Sequence, residues 1–417
     1  MIKNFLLSIA LLFSAGLVAQ TGTPSPYSFY GIGDVTFKGA LENRLMGGVS
    51  VFPDSIHLNF QNPASVAGLK FTTFTLGMSY KTTKFKSNTA QDNAERAPFE
   101  YIAVGFPMGK FGASFGLMPY SSVGYKLQKL APDGDTEGTD NRYLGTGGLN
   151  RAFVALGYKL TKKLDIGVDF NYNFGQITTR SIEFIPQAQF GSRELNESDL
   201  SGLTVNAGLM FHTKLKKKFD VFGSLVVTPE TRIKSTNSRQ IATISYNDET
   251  EIVIDTLNVS VANTTLRLPA KISIGGGIGI ARKWLLGTEI TFRQSGNLGS
   301  RFTDIANVKY ENSQKYSLGG YYIPNYNSFR SYLSKVTYRA GLNYEKTGLV
   351  LNGKSIEDKA VTFGFGFPMR GTFSNINLGV EMGSRGTKAA NLVQENYTNF
   401  SISLSLNDQW FVKRKYD

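Results

Sequence analysis

The sequence predicts an all-β protein, a transmembrane antiparallel β-barrel of about 14 strands with an N-terminal hatch inside the lumen. Three observations carry that expectation. The first is an unbroken alternation in which Leu164, Ile166, Val168, Phe170, Tyr172 and Phe174 share one face and Asp165, Gly167, Asp169, Asn171 and Asn173 the other. Side chains alternate across a strand, so one surface of this run is apolar and the other polar or minimal. The second is recurrence: Ile376, Leu378, Val380 and Met382 stand against Asn377, Gly379, Glu381 and Gly383, and Phe400, Ile402, Leu404 and Leu406 against Ser401, Ser403 and Ser405. The third is an export signal on a chain that has no long apolar span.

That signal occupies residues 1–19. Lys3 supplies the charge, Phe5 to Phe13 the apolar core, and Ser14, Ala15, Gly16 and Ala19 the small residues before cleavage. The cysteine count of 0 excludes disulfides, thiolate metal sites and an N-terminal lipid anchor. Glycine, with 44 copies, and aromatics, with 30 Phe and 20 Tyr, match a wall that needs close-packing positions and interfacial girdles. The net charge of +13 permits nucleic-acid binding, but its cations fall in turns and loops of an exported chain. Membrane lipids and lipopolysaccharide are the expected partners, and nucleic acid is not.

Residues 20–69 hold no alternating run long enough to cross a bilayer and are assigned to a hatch in the lumen. Within it lie Asn43-Arg44-Leu45-Met46-Gly47-Gly48-Val49, then Asp54 and Ser55, then Asn59-Phe60-Gln61-Asn62-Pro63-Ala64. This segment resembles the hatch of the FadL/TodX-like family of outer-membrane transporters of hydrophobic compounds. The opening Ser25-Pro26-Tyr27-Ser28-Phe29-Tyr30-Gly31-Ile32-Gly33 resembles the Bacteroidota version of that family. The resemblance implies 14 strands, a gate built on Gly47, Gly48, Asn62, Pro63 and Ala64, and an inward kink of the third strand that opens a lateral exit.

The wall, 70–407, is read as strands at 70–82, 98–107, 110–125, 146–160, 164–180, 200–214, 218–234, 265–281, 284–296, 313–323, 334–346, 358–368, 374–386 and 396–407. Connections alternate between short turns, assigned to the periplasm, and long loops. Segment 324–333 breaks that rule and is expected to hold a short helix. A basic tail, 408–417, follows, in which Trp410 and Phe411 are expected at the interface or the last strand runs on to Val412.

Little here suits an enzyme. Of the two histidines, His57 lies beside Asp54 and Ser55 on one short loop, where a triad does not assemble, and His212 is near a strand end. No catalytic, cofactor or metal residue is assigned, and the loop acids Asp133, Asp135, Glu137, Asp140, Asp248, Glu249 and Glu251 read as a solvated face before a cation site. Asp165, Asp169, Glu289 and Glu381 are expected to form a salt-bridge lattice with Arg151, Lys271, Arg293 and Arg339 that holds the hatch. Gly275-Gly276-Gly277-Ile278-Gly279 lacks a following helix; with Gly364 and Gly366 it reads as a smooth wall patch for the hatch backbone.

Two features speak for transport. Pro119, between Met118 and Tyr120, gives no ladder donor and marks the place for a lateral opening. Phe115 and Phe153 are expected to face a lumen that contacts an apolar ligand. The expected function is passive uptake of hydrophobic compounds such as long-chain fatty acids across the bacterial outer membrane. The alternative is a non-transporting accessory barrel of an export or assembly machine, with other outer-membrane proteins as partners; an outer-membrane lipid hydrolase is disfavoured by the shortage of histidine.

Overall fold

Fourteen antiparallel wall strands close into a barrel because the last ladder joins the ends of the wall, from Thr72↔Asp408 to Lys86↔Gln394. The computed structural model describes residues 22–130, 138–185, 188–216, 218–247, 250–297 and 307–410. The signal peptide, the acids Asp133, Asp135, Glu137, Asp248 and Glu249, and the tail beyond Trp410 lie outside them.

The first wall strands are β1 (Thr72–Lys86), β2 (Phe99–Met108), β3 (Phe111–Lys129), β4 (Asp140–Lys159), β5 (Leu164–Phe184) and β6 (Gly191–Leu215). β7 is split into Phe219–Thr228 and Thr231–Asn247, and β8 into Thr264–Leu268 and Lys271–Ile280. Pro229 and Pro269 cause these splits, since neither has an N–H to give the ladder. The wall continues through β9 (Trp284–Arg293), β10 (Ser313–Tyr322), β11 (Thr337–Leu351), β12 (Lys354–Pro368), β13 (Asn375–Gly386) and β14 (Gln394–Asp408).

Several strands run farther than the sequence pattern suggests. β6 begins at Gly191, and the second part of β7 forms a hairpin with Thr250–Val259, in stretches read as loops. Polar Thr, Ser and Asn end the apolar alternation there, but they pair across strands and leave the ladder intact. Segment 324–333 is mostly irregular; a single 3-10 turn, Leu333–Lys335, begins at its last residue.

Period-2 patterning sorts the wall as expected. Ile166, Phe170 and Tyr172 are exposed on the outside, whereas Asp165, Asp169, Asn171 and Asn173 are buried inside. Residues 22–71 thread the lumen as a two-residue strand, Asp34–Val35, a helical turn, Leu41–Arg44, and a 3-10 turn, Pro63–Gly68. The main apolar core lies where this hatch meets the wall: Leu58, Phe60, Val66 and Leu69 against Tyr101, Ala103, Met118, Phe153 and Ala155. Burial of each large side chain there stabilises the seat by about 2 kcal/mol.

Candidate functional site: the hatch seat, the strand seam and the lumen

The Asn-Pro-Ala turn is built locally and then locked to the wall. Asn62 caps the 3-10 turn, with Oδ1 accepting from Ala64 N at 3.0 Å and Pro63 at the first position, where no N–H is missed. The Asn62 amide also donates to Leu209 O at 3.1 Å and to Ser224 Oγ at 2.9 Å, tying the turn to β6 and β7. Gly167, Gly157 and Gly112 then let the hatch backbone lie against the wall: a Cβ on Gly167 would stand 2.5 Å from Ala64 N, and one on Gly157 2.7 Å from Ala67 N.

Gly47 and Gly48, also expected at the gate, seat the same way on the opposite wall. Gly47 (φ 67°) and Gly48 (φ 91°) end the Leu41–Arg44 turn in the left-handed region. Gly47 N donates to Thr362 Oγ1 at 3.1 Å, while Gly319 and Gly341 leave room for the Met46–Gly47 peptide. Of the glycines expected to form a smooth patch, Gly275 and Gly277 face Val51 and Phe52, and Gly364 faces Leu45. Gly366 instead faces Arg339 and Asn377 of the wall.

Polar clasps complete the seat. Arg44 makes a two-pronged bridge to Glu100 at 3.0 and 2.7 Å, a geometry that combines charge with planar fit. Glu289 accepts from Ser50 N and Oγ at 2.9 and 2.6 Å, Asp169 accepts from Lys38 at 3.0 Å, and Glu42 Oε1 accepts from Asn377 at 2.7 Å. His57 Nδ1 lies 2.7 Å from Asp54, and Nε2 lies 3.7 Å from Glu42. Burial disfavours the charged imidazole, but Asp54 and Glu42 outweigh it and raise the His57 pKa. Burial likewise opposes ionised Asp54, yet His57 holds that carboxyl down at about 2. The anticipated lattice among wall side chains does not form: among the described residues the wall acids Asp169 and Glu289 clasp hatch donors instead, because the hatch lies between the facing walls.

The seam lies between β2 and β3. Their ladder runs from Met108↔Phe111 to Ile102↔Leu117 and stops there. β3 stays paired with β4, through a one-residue slip at Tyr120, as far as Lys129↔Asn141. Its freed edge is taken by the hatch, with Asp34↔Ser122 and Val35↔Ser121. Gln91–Arg96, which rises from the β2 side, pairs only with β1. Residues 121–125 are buried on both faces, so this half of β3 has turned into the lumen. Met118, Pro119 and Tyr120 stand at the turning point, where Met118 joins the hatch core and the Tyr120 ring lies 4.2 Å under the Arg151 guanidinium.

A lumen cavity of about 300 Å3 reaches that point. Met118, Pro119, Tyr120, Val35 and Phe37 line it on one side, and Lys81, Lys271, Glu289, Arg293, Lys315 and Glu345 on the others. Lys271 and Arg293 are directly opposed on β8 and β9, like charges at one register position. Phe115 does not contribute: it is 50% exposed on the outer wall and stacks on Phe106, because it shares the outward phase of β3 with Phe111 and Leu117. Phe153 does point inward, but it is only 6% exposed and packs edge-on against Phe60, so the hatch covers it.

Sequence reasoning missed Glu100 of the wall and Glu42 and Ser50 of the hatch, which take part in these clasps. Glu100 carried a signal, an acid inside an apolar run beside Pro98; nothing local marked the other two.

Comparison with solved structures places this architecture. The toluene transporter TbuX of Ralstonia pickettii superposes with a TM-score of 0.61 at 14% identity, covering 89% of this chain and 99% of its own. The toluene transporter TodX of P. putida gives 0.60 at 16%, covering 90% and 100%. A FadL homologue of Pseudomonas aeruginosa gives 0.57 at 12%, covering 91% and 99%. The likeness to FadL-type transporters seen in the hatch therefore holds for the fold. No curated protein matches the sequence. The family described as BamG matches residues 1–417, from the first residue to the last, and the chain belongs to the BamG family.

Proposed function

We propose that this protein works in the outer membrane of a bacterium, of the Bacteroidota type that its hatch resembles, as an accessory barrel of an outer-membrane protein assembly or export machine. The observation that carries this reading is the chemistry of the lumen. One end is filled by hatch segments seated on wall glycines, and the remaining cavity sets Lys81, Lys271, Glu289, Arg293, Lys315 and Glu345 around a smaller apolar side of Val35, Phe37, Met118, Pro119 and Tyr120. An apolar molecule gains little by entering such a space, since pockets for apolar ligands are mostly apolar with few polar groups. Membership of the family described as BamG supports the same direction. Native mass spectrometry after extraction in mild detergent tests it. Partner proteins in fixed proportion with an empty lumen are expected; a lone barrel carrying an apolar ligand that Asn62→Ala abolishes would overturn it.

A second reading is passive uptake of hydrophobic compounds such as long-chain fatty acids, past the hatch and out sideways into the bilayer. The end of the β2–β3 ladder just before Met118, Pro119 and Tyr120 favours it, as does the shared fold with hydrocarbon transporters. Proteoliposomes should then take up a long-chain fatty acid, and cross-linking β2 to β3 across the seam should stop it.

A further inference from the structure

The charge of the chain is not spread evenly over the two ends of the barrel. Six turns join strands at the end where β1 starts and β14 finishes, at 109–110, 160–163, 216–218, 281–283, 323–336 and 369–374. Every one carries Lys or Arg, and none carries Asp or Glu. Among the described residues, no salt bridge involves a cation of these turns. Several rest on aromatic faces instead: Arg282 lies 4.9 Å from the Tyr326 ring, Lys218 5.6 Å from Phe219, Lys335 5.7 Å from Phe329 and Arg370 6.0 Å from Tyr332. The opposite end differs, since its long hairpins mix both signs and pair them, as in Arg193–Glu251 at 2.8 Å and Arg239–Glu194 at 3.2 Å.

We propose that the short-turn end of the barrel is a cationic and aromatic collar that binds the headgroups of anionic phospholipids in the adjoining leaflet. The proposal rests on the membrane location common to both functional readings. Its main argument is the completeness of the ring. Lipids surround a barrel on every side and meet every turn, whereas a protein docked on one sector would leave the cations elsewhere unanswered. Chemistry agrees. Polybasic segments beside a membrane are drawn to anionic headgroups, and aromatic side chains settle at the headgroup level. Exposed Met108, Phe111 and Leu160 adjoin these cations in the chain, and Phe329 is 100% exposed in the longest turn. Lipopolysaccharide, the partner expected from net charge alone, does not explain a collar placed away from the long loops.

The test uses the full chain reconstituted in vesicles of phosphatidylcholine mixed with phosphatidylglycerol, then extracted in mild detergent for native mass spectrometry. Wild-type protein should retain phosphatidylglycerol in preference to phosphatidylcholine. The variant Lys162→Gln/Lys163→Gln/Arg282→Gln/Lys283→Gln should retain about tenfold less of it. A control at the other end, Lys126→Gln/Lys129→Gln/Lys234→Gln/Lys354→Gln, should retain as much as wild type. Equal loss in both variants, no preference in wild type, or an acidic protein held on the turns in place of lipid would each overturn the proposal. If the first variant does not fold, a high-salt wash of wild-type protein replaces it, and phosphatidylglycerol that survives the wash counts against the collar. Failure of the membrane reading is distinguishable, because wild-type protein would then fold into neither vesicle nor detergent.

Discussion

The two halves of the lumen are built on opposite principles. Near the short turns the wall presents glycines, and the hatch lays its backbone on some of them, as at Gly167 and Gly157, and its side chains Leu45, Val51 and Phe52 on others. Farther in, the wall presents long charged side chains and leaves a cavity. The first half is filled, with wall Cβ atoms removed to admit the hatch; the second is a polar space lined by charged side chains of both signs.

The largest effect is expected from disturbing the filled half. Leucine at Gly167 would drive its side chain into the Pro63–Ala64 peptide, overpacking the seat at a cost of about 3 kcal/mol. Planar-bilayer recordings should find wild-type protein closed and Gly167→Leu conducting; a closed variant would show that closure does not depend on this contact. Next comes the clasp between the halves. Glu100→Gln leaves the Arg44 guanidinium with one neutral partner in a mostly buried site, and the hatch should lose about 3 kcal/mol, read by hydrogen exchange of its Leu41–Leu45 amides. Unchanged exchange would assign the hold to the glycine seat alone.

A smaller effect follows from His57. Its pKa is raised from 6.5, so its contribution is complete below that value and fades as pH rises through the higher folded value. Asp54 is held at about 2 from 3.8, so its contribution is present above 3.8 and is lost only as pH falls toward 2. The pair therefore supports the hatch between those limits and weakens on the alkaline side. Asp54 is 42% exposed to lumen water, which keeps the effect near 1 kcal/mol or below. Hatch protection should fall from mildly acid to mildly alkaline pH in wild type but stay level in His57→Gln. The smallest change is expected in the cavity: Lys271→Gln removes one of two opposed cations and should raise thermal stability by about 0.5 kcal/mol. Destabilisation there would show that the cation pair has a counter-charge.

Much of the fold was legible because barrel strands obey a local rule. Alternation at a period of 2 gave the wall strands, the Asn62-Pro63 pair marked a capped turn, and Pro119 marked a place where a ladder must fail. Strand ends were less legible, since polar residues stop the hydrophobic signal without stopping hydrogen bonding, as in the hairpin of Thr231–Asn247 with Thr250–Val259. Phe115 shows the limit of pattern reading in the site. Its outward phase was implicit in the run with Phe111 and Leu117, but only the closed wall places that face outside.

By itself, the sequence determined the period, the approximate strand number, the supply of glycine and the one-signed short turns, because each is a property of neighbouring residues. The tertiary structure alone decided which glycines meet the hatch, which acids hold it, and that β3 leaves β2 after Leu117 to pair with Asp34–Val35. Those contacts join residues tens to hundreds of positions apart, and they exist only once the barrel has closed around its own N-terminal segment.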